Sequence, residues 1–554
     1  MRRAYDMPFG AAPRGEGVFH FRFWAPGEPR VVLETGSVTA PMQRHPNGWH
    51  VCSVPGRAGE RYRFRLSDDV LVPDPASRFN PEDVHGPSEL VDPRDYEWRA
   101  SSWRGRPWHE AVIYELHVGA FTPQGTFAAA RERLAGLAAL GVTAIELMPV
   151  ADFPGARNWG YDGVLPFAPD ASYGRPEELK ALVDEAHRLG LMVLLDVVYN
   201  HLGPDGNYLH AYCPQFFNPQ RQTPWGAAIN FDGTDSRTVR EFFVHNALYW
   251  LEEYALDGLR LDAVHALLDD SGLHIVDEIA AAVCDGPGHK RHVHVVLEDE
   301  RCDQRFVRHG RVRQWNDPLH HAWHVLLTGE TDGYYAPYAK APLERLAEAL
   351  AAAPGAHVAF LQNHDQIGNR ALGERLHRLA EPARERAALA CLLLAPQAPL
   401  LFMGEEWAAS TPFLYFCDHA DGLATAVRDG RRAEFARFAA FADPAARRRI
   451  PDPNDPATFA ASRLDWGERE RAPHRERLEL VHRLLALRHA RLAPRLAGAS
   501  SGRTTVAGSR LRAEWTLGDG SLLTIALDFH AAPPPAAGDE LYAAEGVRVA
   551  LRAP

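Results

Sequence analysis

The sequence predicts an α/β protein: a (β/α)8 TIM barrel with an N-terminal β-sandwich domain and a small C-terminal β-domain. Three observations predict it. From about residue 110, eight short apolar runs alternate with helical stretches, and no Gly-rich phosphate loop follows the first run as it would in an open doubly wound sheet. Before residue 95, apolar and polar residues alternate with the two-residue period of a half-buried strand. After residue 495 that alternation returns.

Taken in order, Phe19-His-Phe-Arg-Phe-Trp, Val31-Val-Leu, Trp49-His-Val-Cys and Tyr62-Arg-Phe-Arg-Leu are strands of the sandwich, separated by Gly/Pro turns. The Pro-rich Val72-Pro-Asp-Pro leads out of it. The barrel strands are expected at Val112–Val118, Ala144–Met148, Met192–Val198, Gly258–Asp262, His294–Glu298, Val312–Trp315, Val358–Gln362 and Leu400–Met403. Helices are expected between them, among others at Thr126–Leu140, Pro176–Leu189 and Ser236–Tyr254. Residues 203–230, rich in Pro, Asn, Tyr and Phe, read as an extended loop after the third strand, of the kind that builds a binding face. The amphipathic stretch Glu476–Arg491 closes the barrel, and Pro451–Arg471 reads as irregular. Thr504-Thr-Val, Leu511–Trp515 and Leu522–Leu527 belong to the C-terminal sheet. The expected division is 1–95, 96–495 and 496–554.

Composition narrows the function classes. At roughly 150 residues per domain, 554 residues allow three or four domains and a large core. The net charge of −12 argues against a non-specific nucleic-acid binder. Basic residues are almost all Arg; the lysines are Lys180, Lys290 and Lys340. Cysteines 52, 213, 284, 302, 391 and 417 contain no CxxC pair, which suits reduced thiols in the cytoplasm. The N-terminus lacks the apolar segment of a signal peptide, and no run of about 18 apolar residues suggests a membrane span.

Four segments end apolar runs in polar tips: Asp196-Val-Val-Tyr-Asn200-His201, Gly258-Leu-Arg260-Leu-Asp262, Val295-Val-Leu-Glu298 and Phe360-Leu-Gln-Asn363-His364-Asp365. In a parallel barrel such tips converge on one mouth. Two carboxylates facing each other there are the minimal equipment for glycosidic cleavage. Arg260 and Asp262, two apart on a strand, point the same way, and the cation keeps Asp262 ionised and fit to be a nucleophile. Read alone, the pair is equally a structural ion pair. Glu298, at the rim beside Asp299 and Glu300, is the general-acid candidate because like charge raises its pKa. Read alone, the segment is also a solvated acidic run, and Glu300 is a substitute pointing the same way. Asp365 with Asn363 and His364 could hold sugar hydroxyls, as could His201 and the Tyr161 ring. His292 with His294, or His320, His321 and His324, tempt a metal reading, but no HExxH occurs and no metal is expected. No GxSxG supports a serine hydrolase.

Together these segments resemble the four motif blocks of the α-amylase superfamily, glycoside hydrolase family 13, over nearly the whole chain. The resemblance implies catalytic roles for Asp262 (nucleophile), Glu298 (acid/base) and Asp365 (holding and distorting the reacting sugar). It implies substrate-binding roles for Tyr161, His201, Arg260, His265, Asn363 and His364. The departure Ala263-Val-His265-Ala266, where many amylases read Ala-x-Lys-His, implies a different leaving-group side. The calcium cluster of many amylases is not evident, so no cofactor and no metal are expected. Phe23-Trp-Ala-Pro and Val31-Val-Leu look like the immunoglobulin-like, carbohydrate-binding-module-like sandwich that precedes the barrel in branching and debranching relatives. Phe153–Gly163 is similar in part to branching enzymes and to the members that act on malto-oligosyltrehalose, whereas Gln362–Arg370, Leu401–Trp407 and Pro412–His419 look most like the latter. That implies retaining cleavage of the α-1,4 bond next to the terminal trehalose, releasing trehalose and a maltodextrin, with Asp262 and Glu298 carboxyls about 5–5.5 Å apart. The implied partners are malto-oligosyltrehalose and maltodextrin, with malto-oligosyltrehalose synthase in the same pathway and neither nucleic acid nor membrane. Two rival readings are a 1,4-α-glucan branching enzyme, whose fourth block tends to read Ser-His-Asp-Glu, and a non-catalytic amylase-like glucan-binding protein, which would lack a member of the triad.

Overall fold

In the computed structural model, which describes residues 1–15, 17–307, 310 and 312–554, eight parallel strands close into a barrel. They are β1 (Ile113–Leu116), β2 (Ala144–Leu147), β3 (Met192–Val197), β4 (Gly258–Leu261), β5 (His294–Leu297), β6 (Arg313–Trp315), β7 (His357–Ala359) and β8 (Ala398–Phe402). Their order around the barrel is their order in the chain, and β8 closes on β1 through the pairs Ile113–Leu400 and Tyr114–Leu401. Every residue of β1 to β5 is buried, which is why these strands read as continuous apolar runs without alternation. The charged exceptions are Glu115, Glu146, Asp196 and Arg260. Register sets Glu115 beside Glu146 and Asp196 beside Arg260. Burying a charge is costly unless it is paired, so these four residues mark where the barrel interior turns from core to site.

The helices wrap this sheet. Pro176–Arg188 and Ser236–Glu253 stand close to their expected bounds. The stretch 126–140 does not form one helix. Arg133 N–H donates to the Ala130 carbonyl, three residues back instead of four, and this tightened turn separates Phe127–Arg131 from Leu134–Leu140. His474–Leu487 packs Leu480, Val481, Leu484 and Leu485 inward, and Arg477 grips Glu385 of the helix Pro382–Leu394 with two buried hydrogen bonds.

Two further segments are more ordered than their composition suggests. Residues 203–230 contain the short helix Leu209–Tyr212 and a hairpin of Phe217–Thr223 with Gly226–Ile229. Its first strand, Phe-Asn-Pro-Gln-Arg-Gln-Thr, has one large apolar residue and therefore no readable period. Within Pro451–Arg471, Asp455 caps the helix Pro456–Ser462 by accepting from Ala457 N–H.

At the N-terminus two sheets face each other. Phe21 and Phe23 of Val18–Trp24 meet Tyr62 and Phe64 of Arg61–Arg65, with ring centroids 5.2 and 4.2 Å apart. Buried Arg78 ties this region to the barrel, donating to Glu253 at 3.1 Å and to the Ala11 carbonyl at 2.6 Å. At the other end, Arg503–Ala507, Arg510–Thr516, Leu522–Asp528, Val547–Arg552 and Asp539–Ala544 form one antiparallel sheet in that order.

Candidate active site

The segments that follow β2 to β7 deliver polar groups to one cavity of about 1260 Å3. Tyr161, His201, Asp262, His265, Glu298, Asn363 and Asp365 line it. Arg260 and His364 lie beneath its floor, both essentially without exposure.

Arg260 organises the floor. Its Nη1 donates to Asp196 Oδ2 and to Asp262 Oδ1, each at 2.7 Å, and its Nη2 lies 3.8 Å from Glu298 Oε2. Its guanidinium also stacks over the Trp315 ring at 4.2 Å. The ladder continues one residue past β4: Asp262 N–H donates to the Val197 carbonyl and Glu298 N–H to that of Leu261. The chain then turns sharply at Ala263, which adopts φ 43°, a left-handed conformation that a non-glycine residue enters at a cost of order 1 kcal/mol. The turn aims Ala263 N–H at Glu298 Oε2, 2.6 Å away. Strain of this kind beside a reactive group is a mark of a functional site.

Glu298 is held well above the usual carboxylate range, first by burial and then by the negative charges of Asp262, Asp317 and Asp365; Arg260 opposes this without outweighing it. The cause differs from the expected one. Asp299 turns away from the cavity, accepting from Arg301 N–H, Asp303 N–H and Gln314 Nε2. Glu300 is no substitute for Glu298: its side chain is 76% exposed and faces His265 at 3.7 Å.

The fourth motif segment, after β7, also differs from expectation. Strand β7 ends at Ala359, and Asn363-His364-Asp365 opens a short helix, His364–Gly368, instead of closing the strand. The reason is the Asn363 side chain, whose oxygen accepts from Gln366 N–H at 3.0 Å and caps the helix. His364 sits between Glu115, which accepts from both its backbone N–H and its ring Nδ1, and Tyr161 and Asp365 at its Nε2. Burial draws the His364 pKa down, but the carboxylates of Glu115 and Asp365 outweigh burial and hold it at about 9. An imidazolium donates at both nitrogens, so Tyr161 Oη accepts from His364 and donates to Asp196 Oδ2 at 2.5 Å. The Tyr161 and His364 rings stack at 5.1 Å. Burial pushes the Asp196 carboxyl up to about 7, with Asp262 adding to the rise and Arg260 restraining it.

Several residues of this site carried no motif signal. Glu115 and Glu146 each interrupt an apolar barrel strand, and a carboxylate there was the signal available. Glu146 is buried, finds no hydrogen-bond partner among the described residues, and is held well above its ordinary range by burial and by Glu115 and Asp196. Trp225, 48% exposed at the hairpin tip, stacks flat on His201 at 5.1 Å, and His201 Nε2 contacts the Tyr161 carbonyl at 2.8 Å. Asp317, Tyr335 and Tyr338 complete the wall beyond β6. Of the histidines considered for metal binding, His294 contacts the Arg106 carbonyl, His320 that of Leu361, and His324 stacks on Tyr335.

Comparison with known proteins bears on this geometry. The sequence model described as alpha amylase, catalytic domain, matches residues 87–222. A malto-oligosyltrehalose trehalohydrolase of Deinococcus radiodurans is 42% identical over 512 residues, spanning 88% of this chain and 82% of the relative. A solved structure titled putative alpha amylase, from Salmonella typhimurium, superposes with a TM-score of 0.92 at 41% identity, covering 99% of this chain and all of that one. A 1,4-alpha-glucan branching enzyme of Pseudoalteromonas atlantica is 33% identical, over only 41% of this chain and 35% of its own.

Proposed function

Because this chain belongs to the malto-oligosyltrehalose trehalohydrolases of the α-amylase superfamily, we propose that it cleaves the α-1,4-glucosidic bond next to the terminal trehalose of malto-oligosyltrehalose, releasing trehalose and a maltodextrin. It is a glycosidase acting by double displacement with retention. The observation that carries the reading is the single buried guanidinium of Arg260 in reach of both Asp262 and Glu298, a geometry suited to two carboxyls working close together. Asp262, oriented by its hydrogen bond from Arg260, attacks the anomeric carbon. Glu298, kept protonated by burial, protonates the departing oxygen and then, as carboxylate, activates water. Asp365, Tyr161, His201 and Asn363 hold the reacting sugar, and His265 faces the leaving group. Arg260 and His364 act from below, by fixing Asp262, Asp196 and Tyr161. Nothing in these steps calls for a metal or cofactor.

The same proposal places the protein in the cytoplasm, downstream of a malto-oligosyltrehalose synthase in trehalose formation. Six unpaired cysteines suit a reducing compartment, and no described helix is long and apolar enough to cross a membrane. It also divides the chain at about residues 95 and 495. The branching-enzyme reading is the weaker one, since that relative matches less than half of the chain.

The test is product analysis with two substrates of equal length. Maltopentaosyltrehalose will release trehalose rapidly, while maltoheptaose is cut slowly. Equal hydrolysis of both would reduce the activity to general α-1,4-glucan cleavage, and new α-1,6 linkages without net hydrolysis would make it a branching enzyme.

A further inference from the structure

Asp317 is an acidic residue of the cavity wall that the mechanism above leaves without a task. It opens the helix Asp317–Thr328, one residue past β6, and stands on the rim between Glu298, after β5, and Asp365, after β7. Its Oδ2 is buried and has no hydrogen-bond partner among the described residues, although the carboxyl lines the cavity. A buried carboxylate oxygen without a donor costs free energy, and such a group persists where a ligand supplies the donor. Sugar hydroxyls are donors of the right kind.

Position decides which sugar. In the reading above the reacting ring rests over the ion network of Asp196, Arg260 and Asp262, held by Tyr161 and His201 on one side and by Asn363 and Asp365 on the other. Asp317 lies across Glu298 from that network. The charges it feels, besides Asp365 and Arg260, are those of Asp299 and Glu300, and Tyr338 feels Asp317 in turn. Glu300 lies 3.7 Å from His265, which the reading above sets against the departing sugar. We infer that Asp317 is a further substrate-contacting residue, accepting a hydroxyl hydrogen bond from the leaving-group sugar, the trehalose unit.

This rests on the trehalose-releasing reading, and its geometric support is the unpartnered, buried Oδ2 of Asp317 on the cavity wall. Burial, with Asp365 adding, brings the Asp317 carboxyl up to about 7, so near neutrality it is partly ionised and accepts strongly. As a carboxylate facing Glu298, it also helps keep the acid protonated.

Two substrates separate this role from a structural one. Malto-oligosyltrehalose has a leaving-group sugar; α-maltotriosyl fluoride has none and needs no protonation to depart. Asp317→Ala will lower kcat/KM for maltopentaosyltrehalose by about 10- to 100-fold, Asp317→Asn by less, since the amide oxygen still accepts. Turnover of the fluoride will stay largely intact in both. Equal losses on the two substrates would overturn the inference in favour of a structural or glycone-side role, and no loss on either would overturn it outright. If wild-type protein released no trehalose, the functional reading itself would fall, an outcome visible before any variant is made.

Discussion

Replacing Asp262 with Asn will lower kcat by about 10^4-fold or more on maltopentaosyltrehalose and on α-maltotriosyl fluoride alike. The amide keeps the size of the carboxylate but cannot attack the anomeric carbon. The loss is chemical and not a failure to fold, because Arg260 keeps its second partner: Asp196 Oδ2 still accepts from Nη1 at 2.7 Å, so no unpaired cation is left in the barrel. Initial rates, together with a thermal melt close to wild type, check both halves. A variant retaining even a tenth of the wild-type rate would remove Asp262 from the nucleophile's role.

Glu298→Gln is the second large effect, about 10^2- to 10^4-fold on maltopentaosyltrehalose. Here the two substrates diverge. Fluoride departs without a proton, so the first step survives on α-maltotriosyl fluoride, but no carboxylate remains to activate water for the second. The glycosyl-enzyme on Asp262 will accumulate and appear by mass spectrometry as the added maltotriosyl mass. The pH profile adds a sign. Glu298 must be protonated to act as acid, and burial with the charges of Asp262, Asp317 and Asp365 raises its pKa. Wild-type kcat/KM therefore holds as pH rises past the ordinary carboxylate range and falls only when pH passes the raised value. In Glu298→Gln that basic limb disappears.

The strands and their order were legible because a parallel barrel buries both faces of each strand, and eight apolar runs separated by helices have few other solutions. The carboxylates of Asp262 and Glu298 were legible for a related reason: each follows directly on the leucine that ends a short buried strand. The reason for Glu298's raised pKa was not. It depends first on burial and then on Asp262, Asp317 and Asp365, which meet Glu298 only on the closed rim, whereas the adjacent Asp299 turns its charge into backbone amides. The His364 environment escaped for the same cause. Its main partner Glu115 lies 249 residues earlier, across the closure between the last strands and β1. The helix opened by Asn363 was hidden by the apolar Phe360-Leu run before it, and the hairpin bearing Trp225 by strands too polar to show a period. Local pattern reports the elements, while the charge network arises from the closure of the barrel.

One measurement reaches the central claim directly: proton NMR of maltopentaosyltrehalose during the first turnovers, before mutarotation. Trehalose signals rising together with the α-anomer of maltopentaose would show cleavage at the trehalose junction with retention, as the Asp262 and Glu298 pairing requires. First appearance of the β-anomer, or of glucose and mixed maltodextrins without trehalose, would contradict the account.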